Sequence, residues 1–370
     1  MPAAVRLASL TLRDFRNFDR LALSLADDGL AVFGDNGHEK TNLLEAIYYL
    51  GLLRSARGAR DADLVRFGAD GFFIESRISD GRSVSAGFER ATRRKIVRVD
   101  GVRVERFSEA IGALPAVMIA PGDVALLAGP PVERRRYLDI LLALSVRGYL
   151  SALQTYRGAL ARRNAALRQQ ARGRRDSAVA VWDAPLAESG GMLWRARVEW
   201  TSRVAERFAS LCDAIGEPGR AALSYVTSMG ETGDPVTAIL EGLEARRGLD
   251  LRHGVTHFGP HREDLGITVA GRDLRTFGSA GQQRSAAIAL RLLEWEALRD
   301  ARAAAPLLLL DDPFAELDAR RSVRIIGLLC DAGLGQTILT VPREHDIPRE
   351  FTRLERRQIV HGTFPARSAA

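Results

Sequence analysis

Leu30-Ala-Val-Phe-Gly-Asp-Asn-Gly-His-Glu-Lys-Thr-Asn-Leu-Leu-Glu-Ala-Ile47 is the stretch of this 370-residue chain that decides its fold. An apolar strand leads into a glycine-bearing turn, and the turn leads into an amphipathic helix. The spacing Gly34-x-x-Gly37-x-x-Lys40-Thr41 is typical of a loop whose backbone N–H groups hold phosphates at a helix N-terminus. The sequence therefore predicts a phosphate-binding loop.

Two side chains of this loop have predicted contacts with a nucleotide. Lys40 would bind the β- and γ-phosphates of ATP, and the Thr41 hydroxyl would bind Mg²⁺. Because the lysine acts on the phosphate that is transferred, it is also a predicted catalytic residue. The predicted cofactor-binding residues of the loop are Gly34, Asp35, Asn36, Gly37, His38, Glu39, Lys40, Thr41 and Asn42.

Glu39 stands where such a loop is expected to carry glycine. Glycine lets the backbone come close to a phosphate, and any Cβ hinders that approach. A carboxylate about 4 Å from a phosphate charge would cost roughly 4 kcal/mol at an effective dielectric near 20. Mg²⁺ or an outward rotamer would reduce this cost. The stretch alone therefore leaves two interpretations open: a nucleotide site, or an ordinary strand-turn-helix without nucleotide.

The length and composition of the chain bound its class. A chain of 370 residues exceeds one ordinary core, so two domains or one domain with a large insertion are expected. Its apolar runs are shorter than the roughly 18 residues that span a bilayer, and its start lacks an apolar signal core. Two cysteines without a Cys-x-x-Cys motif argue against a disulfide framework or a zinc site. We expect a cytoplasmic protein with no membrane partner.

The charge of the chain points to an acidic partner. Lysine and arginine number 53 against 46 aspartates and glutamates, and the pI is near 9.9. Such a balance makes nucleic acid a plausible partner. The chain has only two lysines, Lys40 and Lys95. A lysine at the phosphate-loop position is therefore informative, because a compact ammonium suits that role and arginine does not replace it.

The hydropathy pattern divides the chain into three segments. Residues 1–130 contain alternating strand patterns, with an Asp100-Gly101 hairpin signal, and end at the proline-rich stretch 129–131. Residues 131–253 are mostly helical, and two long helices would bury their apolar stripes against each other. Residues 254–370 return to the first domain. The prediction is an ATPase head in two halves, 1–130 and 254–370, interrupted by a helical lobe, 131–253.

Two sets of arginines are candidates for contact with DNA phosphates. Each set has an alternative interpretation as a solvated basic surface. Those of the helical lobe are expected to stay outside its core. The first set is Arg54, Arg57, Arg60 and Arg66, and the second is Arg134 to Arg136, Arg162, Arg163, Arg168, Arg172, Arg174 and Arg175.

The second half of the predicted nucleotide site lies in residues 306–318, Pro-Leu-Leu-Leu-Leu-Asp-Asp-Pro-Phe-Ala-Glu-Leu-Asp. The leucine run predicts a buried central strand, and the strand would deliver its two carboxylates to the edge where α/β sheets bind ligands. Asp311 would hold Mg²⁺, and Asp312 would orient or deprotonate the attacking water as a catalytic residue. Upstream, Ser279 and the N–H groups of Ala280 and Gly281 would form an anion site at a helix N-terminus.

Taken in order, these motifs resemble the RecF family of bacterial DNA-repair ATPases, within the ABC/SMC-like superfamily. The match runs through nearly the whole chain. Its pieces are Phe15-Arg-Asn17, Gly37-x-x-Lys-Thr-Asn-Leu-Leu-Glu-Ala46, Arg60-Asp61, Arg66-Phe-Gly68, Glu133-Arg-Arg-Arg-Tyr-Leu-Asp139, Arg163-Asn164, Trp182-Asp183, Gly259-Pro-His-Arg262, Gly278-Ser-Ala-Gly-Gln-Gln-Arg284 and Leu309-Leu-Asp-Asp312.

This resemblance implies a fold and a set of partners. The fold is an α/β ABC-type ATPase head, a mixed sheet with a phosphate-binding loop, interrupted by a helical lobe and without a long coiled coil. The implied activity is slow, DNA-stimulated ATP hydrolysis in an ATP-dependent homodimer. The implied partners are double-stranded and gapped DNA and RecR- and RecO-like proteins, and the protein would help to load the recombinase at stalled forks.

The resemblance also adds residues to the nucleotide site. Ser279, Gly281 and Gln282 would contact the nucleotide of the other subunit, and Arg16 and Asp318 complete the predicted set. The chain departs from the family at Glu39, and also at Ala315, where serine is usual. Two alternatives therefore stay open: a RecF-like DNA-binding scaffold with nucleotide binding impaired by Glu39, and a transporter ATPase subunit, which the helical lobe and the basic charge disfavour.

Overall fold

The computed structural model describes residues 3–35, 39–171, 179–217, 219–229, 233–315, 317–331, 333 and 335–365. The chain divides into two compact units, Met1–Asp123 with Leu290–Ala370, and Val124–Ala289. The predicted ranges, 1–130, 131–253 and 254–370, differ from these units mainly at the return to the head. Strand 264–269 pairs with strand 221–226, so the chain around it stays with the second unit.

The strands lie in both units. In chain order they are β1 Ala3–Ala4, β2 Leu7–Phe15, β3 Phe18–Ser24, β4 Gly29–Phe33, β5 Gly71–Ile78, β6 Ser83–Glu89, β7 Arg94–Val99, β8 Val102–Arg103, β9 Ala116–Ile119, β10 Ala221–Val226, β11 Asp264–Val269, β12 Arg272–Asp273, β13 Ala304–Ala305, β14 Leu307–Asp311, β15 Thr337–Val341 and β16 Glu355–Gln358.

The helices include the long pair that the sequence predicts for the helical lobe. In chain order they are α1 Lys40–Leu52, α2 Asp61–Leu64, α3 Ala125–Ala128, α4 Pro131–Ser145, α5 Tyr149–Ala171, α6 Asp183–Ile215, α7 Pro235–Ala245, α8 Arg247–His253, α9 Leu274–Phe277, α10 Ala280–Arg302 and α11 Ala319–Asp331.

A parallel sheet forms the centre of the first unit. Its strand order is β16-β4-β15-β14-β9, and each neighbouring pair is parallel. The leucines of β14 are all fully buried, as expected for a central strand that is covered on both faces. The predicted leucine strand is therefore confirmed, and its carboxyl end delivers Asp311 to one edge of the sheet.

An antiparallel sheet completes the first unit. Its order is β3-β2-β5-β6-β7-β8, and Asp100-Gly101 joins the last two strands. Both turn residues have positive φ, 53° and 78°, as the predicted tight hairpin requires. Edge-to-face aromatic contacts of Phe15, Tyr49 and Phe72 pack the inner face of this sheet on α1.

Gln336 links the two sheets of the first unit. Its buried side-chain amide donates to the carbonyl oxygens of Leu7 at 3.0 Å and Ala26 at 2.8 Å, and its Oε1 accepts from the Leu7 N–H at 2.6 Å. Its own carbonyl accepts from the Leu308 N–H at the start of β14. One residue thus satisfies backbone groups of both sheets, which buried polar groups require.

The second unit has a charged core, and here one sequence prediction is wrong. Arg163 is 0% exposed and Arg134 is 4% exposed, whereas both were expected outside. The Arg163 guanidinium contacts Asp183 at 2.7 Å and Asp250 at 2.6 Å. Burial is possible because carboxylates from α6 and α8 neutralise the guanidinium inside the unit. Arg162 and Arg168 are exposed, while Arg172, Arg174 and Arg175 lie outside the described residues.

Several motifs that carried the family resemblance build the same core. Buried Arg197 donates to Asp139 at 2.8 Å and to the Pro260 carbonyl at 2.8 Å. Arg134 forms a two-pronged pair with Asp264, at 2.9 and 2.7 Å. Arg197 therefore joins the Glu133–Asp139 segment to the Gly259–Arg262 segment by hydrogen bonds. Within the part of the chain that the structure describes, both segments have a structural role.

Candidate nucleotide-binding site

The phosphate-loop stretch adopts the predicted strand-turn-helix. β4 lies between β15 and β16, and α1 begins at Lys40. Gly34 follows the strand, and a Cβ at this position would lie 2.4 Å from the Ile359 carbonyl oxygen. Glycine is thus required here by close backbone approach. Asn36, Gly37 and His38 lie outside the described residues.

Lys40 is a buried cation held by the loop. Its ammonium donates to the carbonyl oxygen of Gly34 and, at 2.9 Å, to that of Asp35. Burial lowers the pKa of Lys40, and the charges of Asp311, Asp312 and Asp35 oppose this shift. A cation at the N-terminus of a helix is the arrangement that receives phosphate oxygens.

Thr41 and Asp311 meet although they are 270 positions apart in the chain. The Thr41 hydroxyl donates to the carboxylate of Asp311, with distances of 3.0 and 2.9 Å to its two oxygens. Thr340 of β15 donates to the same carboxylate at 2.8 Å. A hydroxyl and a buried carboxylate are oxygen ligands of the kind Mg²⁺ takes, so this pair fits the predicted metal site.

Asp312 follows β14 in a left-handed conformation, with φ of 42°. Its N–H donates to the Thr340 carbonyl oxygen at 2.9 Å, which fixes the backbone at the end of the strand. The charge of its carboxylate acts on Lys40 and opposes the lowering of the lysine pKa. The structure therefore brings Lys40, Thr41, Asp311 and Asp312 together at one edge of the parallel sheet.

Glu39 immediately precedes α1 in the left-handed conformation, with φ of 65° and ψ of 15°. This conformation explains why glycine is expected at the position, because a side chain disfavours it. The Glu39 Oε1 accepts a hydrogen bond from the Asn17 side-chain amide at 2.9 Å. Asn17 lies in the turn between β2 and β3, so Glu39 joins this turn to the loop. No sequence pattern predicts this contact.

Arg16, in the same turn, is bound to a buried carboxylate of α1. Its guanidinium donates to Glu45 at 2.9 and 3.2 Å, and Glu45 also accepts from Arg57 and Ser55. Burial would raise the pKa of Glu45, but the hydrogen bonds from Arg57, Arg16 and Ser55 lower it overall. The structure thus places Arg16 and Arg57 on the glutamate of α1, beside the predicted site.

The predicted signature segment lies in the second unit, at the start of α10. The Ser279 hydroxyl accepts from the Gln282 N–H at 3.2 Å, and the Gln282 side chain accepts from the Ser279 N–H at 3.0 Å. This reciprocal capping box fixes the helix N-terminus. Ser279 is exposed and Gly281 is half-buried, so the segment is accessible in the described chain.

Asp318 has a capping role in the first unit. Its carboxylate accepts from the Arg321 N–H at 2.9 Å, at the start of α11. This hydrogen bond lowers the pKa of Asp318, and the side chain is 54% exposed. Its predicted contact with nucleotide remains a prediction.

Comparison with known proteins agrees with this geometry. The chain is 37% identical over 378 aligned residues to the DNA replication and repair protein RecF of Chloroflexus aurantiacus, with 94% of this chain and 96% of that protein covered. It is 36% identical to the RecF of Roseiflexus castenholzii, with 96% and 99% covered. The chain belongs to the RecF family. No protein-family model matches the chain.

Solved structures support the RecF fold. The structure of "the recombination mediator protein RecF-ATP in RecFOR pathway" superposes with a TM-score of 0.89 at 27% identity, covering 99% of this chain and 98% of that one. An SMC head bound to a winged-helix domain of ScpA is 16% identical, with a TM-score of 0.57, and shares the fold alone. The predicted ABC/SMC-like ATPase head is therefore confirmed.

Among the described residues of this RecF-family chain, none of the helices combines the length and the apolar character that a membrane span needs.

Proposed function

We propose that this RecF-family protein is a DNA-repair ATPase that binds double-stranded DNA at gaps and stalled forks and helps to load the recombinase. The observation that carries the proposal is the hydrogen bond between Thr41 and Asp311. It joins the phosphate-loop helix to the end of the leucine strand, as a nucleotide site of this class requires. The RecF structure with ATP supports ATP as the nucleotide.

The residues of the site divide the work of binding and hydrolysis. When ATP binds, the Lys40 ammonium would exchange its hydrogen bonds to the loop carbonyl oxygens for hydrogen bonds to oxygens of the β- and γ-phosphates. Thr41 and Asp311 would hold Mg²⁺, which when bound supplies positive charge at the phosphate oxygens. Asp312 orients the attacking water. Hydrolysis is slow and acts as a switch.

Dimerisation couples the site to DNA. The exposed Ser279 segment, with Gly281 and Gln282, would contact the nucleotide of a second copy, so that the homodimer forms with ATP and opens after hydrolysis. The formal charge of +7 favours duplex DNA as the partner of the closed dimer. RecR- and RecO-like proteins are the proposed protein partners, which the RecFOR context of the related structure supports.

ATP affinity tests this proposal directly. Lys40→Met removes a charge-assisted donor worth about 1.5–3 kcal/mol, so binding should weaken about ten- to a hundredfold. Lys95→Met is the matched control, because Lys95 is the other lysine and forms an ion pair with Asp61 instead. Titration calorimetry with Mg²⁺ and ATP measures both. Equal affinities of the two variants would contradict the assignment of the site.

A second candidate function is a RecF-like DNA-binding scaffold that does not bind nucleotide. Glu39 favours this candidate, because it places a Cβ and a carboxylate at the start of the phosphate-binding helix. The same titration decides between the two. Duplex DNA binding without measurable ATP binding in the wild-type protein would support the scaffold.

A further inference from the structure

The Glu39 carboxylate is engaged by one neighbour in the turn between β2 and β3. Asn17 donates to its Oε1 at 2.9 Å, and the Glu39 backbone is held in the left-handed conformation at the start of α1. A side chain that could rotate freely would let the carboxylate approach the loop. The hydrogen bond from Asn17 restricts this rotation, because a hydrogen bond to a charged acceptor is stronger than one between neutral groups.

The second oxygen of the carboxylate is enclosed on the same side. Oε2 is buried and has no hydrogen-bond partner among the described residues. It lies 3.6 Å from the place where a Cβ of residue 362 would stand, next to the Phe18 ring. The carboxylate therefore occupies a crevice between the β2–β3 turn and the turn at Gly362.

The β2–β3 turn is itself fixed to α1 by a second contact. Arg16, the neighbour of Asn17, binds the buried Glu45 carboxylate about 1.7 helical turns along the chain from Glu39. Asn17 thus presents its amide from a turn that is bound to α1.

We propose that Asn17 is a positioning residue that holds the Glu39 carboxylate in this crevice, off the path of the nucleotide phosphates. The inference rests on the proposed function, since it concerns the same ATP site. With the carboxylate held, the loop accepts a triphosphate in spite of Glu39. Without Asn17, the carboxylate is free to turn toward the phosphates and repel them.

Four proteins test this inference: the wild type, Asn17→Ala, Glu39→Gly and the double variant. Asn17→Ala should weaken ATP binding about tenfold or more, because a freed carboxylate repels the phosphates. In the Glu39→Gly background the same substitution should change the affinity less than about twofold, because no carboxylate remains to be released. A structural role of Asn17 alone would not produce this rescue. Titration calorimetry with Mg²⁺ and ATP provides the four constants.

Equal weakening by Asn17→Ala in both backgrounds would overturn the inference, since Asn17 would then act on ATP by itself. No weakening in either background would overturn it as well. Glu39→Gln provides a further control, because it keeps an acceptor for Asn17 without the charge. Asn17→Ala in that background should weaken ATP binding less than it does in the wild type.

Failure of the inference is distinguishable from failure of the proposed function. If Glu39→Gly binds ATP and the wild type does not, the site is a nucleotide site but Asn17 does not keep Glu39 away. If neither binds ATP, the proposed ATPase function fails. A double-mutant cycle on urea unfolding measures the Asn17–Glu39 contact independently of ATP, and zero coupling there overturns the inference too.

Discussion

Gly34 shows how a residue of the phosphate loop can be required by its protein neighbours. A Cβ at this position would lie 2.4 Å from the Ile359 carbonyl oxygen, which is closer than a Cβ and an oxygen can approach. The segment after β16 and the loop after β4 would have to separate. Glycine at position 34 is therefore required by the packing of the protein itself, before any nucleotide is bound.

Gly34→Ala is expected to destabilise the protein by about 1–3 kcal/mol, because the backbone must shift to admit the methyl group. Gly327→Ala in α11 is the matched control, since among the described residues no heavy atom outside the adjoining turns of α11 lies within 4 Å of its Cβ position. Alanine is the better helix former, so this control should gain roughly 0.5–1 kcal/mol. Urea unfolding measures both, and equal stabilities would contradict the steric interpretation.

The residue scale also shows where sequence reasoning succeeds and fails. The common location of Lys40, Thr41 and Asp311 could be predicted because a short spacing and a buried leucine strand each determine local geometry. The Asn17–Glu39 hydrogen bond could not, because it depends on the rotamers of two residues in different elements. A spacing pattern contains no information about which distant residue a side chain contacts.

At the scale of elements, the buried guanidinium of Arg163 ties α5 to α6 and α8. The sequence predicts an exposed position for Arg163, because an arginine run is typical of a solvated helix face. Its carboxylate partners are 20 and 87 positions away, so only the packed helices reveal them. The strands and helices themselves were predictable from periodicity, whereas their pairing order required contacts between distant segments.

Arg163→Ala is expected to destabilise the protein by about 3–5 kcal/mol, because the buried carboxylates lose their shared guanidinium and keep only Arg247, beside Asp183, and His257, beside Asp250. Arg195→Ala is the matched control. Its side chain is 59% exposed and pairs with an exposed Asp234, so its loss should cost less than about 1 kcal/mol. Urea unfolding compares the two variants. A loss for Arg163→Ala no larger than that of the control would contradict the charged-core interpretation.

His261 makes the stability of the second unit sensitive to pH. Burial lowers its pKa from 6.5 to about 4. Its Nε2 lies 3.0 Å from the Thr256 carbonyl and donates to it, so Nδ1 accepts from the Tyr156 hydroxyl at 2.6 Å. The neutral ring satisfies both contacts, and protonation would remove the Nδ1 lone pair that accepts the second hydrogen bond.

The sign of the pH effect follows from this lowered pKa. Between pH 6.5 and about 4 the unfolded chain binds a proton that the folded chain does not, so stability falls as the pH falls. At pH 5 the penalty relative to pH 7.5 should be about 1–2 kcal/mol, and His261→Gln should remove it. Unfolding at both pH values tests this. His345→Gln is the control: this side chain is 70% exposed, so the variant should keep the wild-type pH dependence of stability. If His261→Gln also kept that dependence, His261 would not be its source.

At the scale of the whole molecule, the exposed signature segment predicts an ATP-dependent dimer. Ser279→Arg should abolish dimerisation with ATP without unfolding the protein, because Ser279 is exposed at the start of α10. Ser151→Arg, at an exposed position of α5, is the matched control and should dimerise normally. Sedimentation velocity with ATP and Mg²⁺ distinguishes monomer from dimer. An unchanged dimer in Ser279→Arg would count against contact in trans.

The charge of the molecule predicts how DNA affinity responds to salt. Each phosphate that an arginine neutralises releases counterions, so the logarithm of the affinity falls by roughly 0.9 per contact for each decade of salt. With a net charge of +7, duplex DNA binding should weaken at least about tenfold between 50 and 200 mM salt. Fluorescence anisotropy of a labelled gapped duplex measures the slope. A flat dependence would remove DNA phosphates as the main contact.

The pairing of β4 has a consequence for how the protein is made. Its neighbours in the sheet are β15 and β16, so Val32 lies opposite both Thr340 and Arg357. Synthesis delivers the N-terminus first, and β4 leaves the ribosome long before either partner strand exists. Such distant pairing is intrinsically slow. The segment that would bind ATP is thus among the last parts of the first unit to become native, and an interrupted nascent chain carries it as an unpaired, aggregation-prone strand.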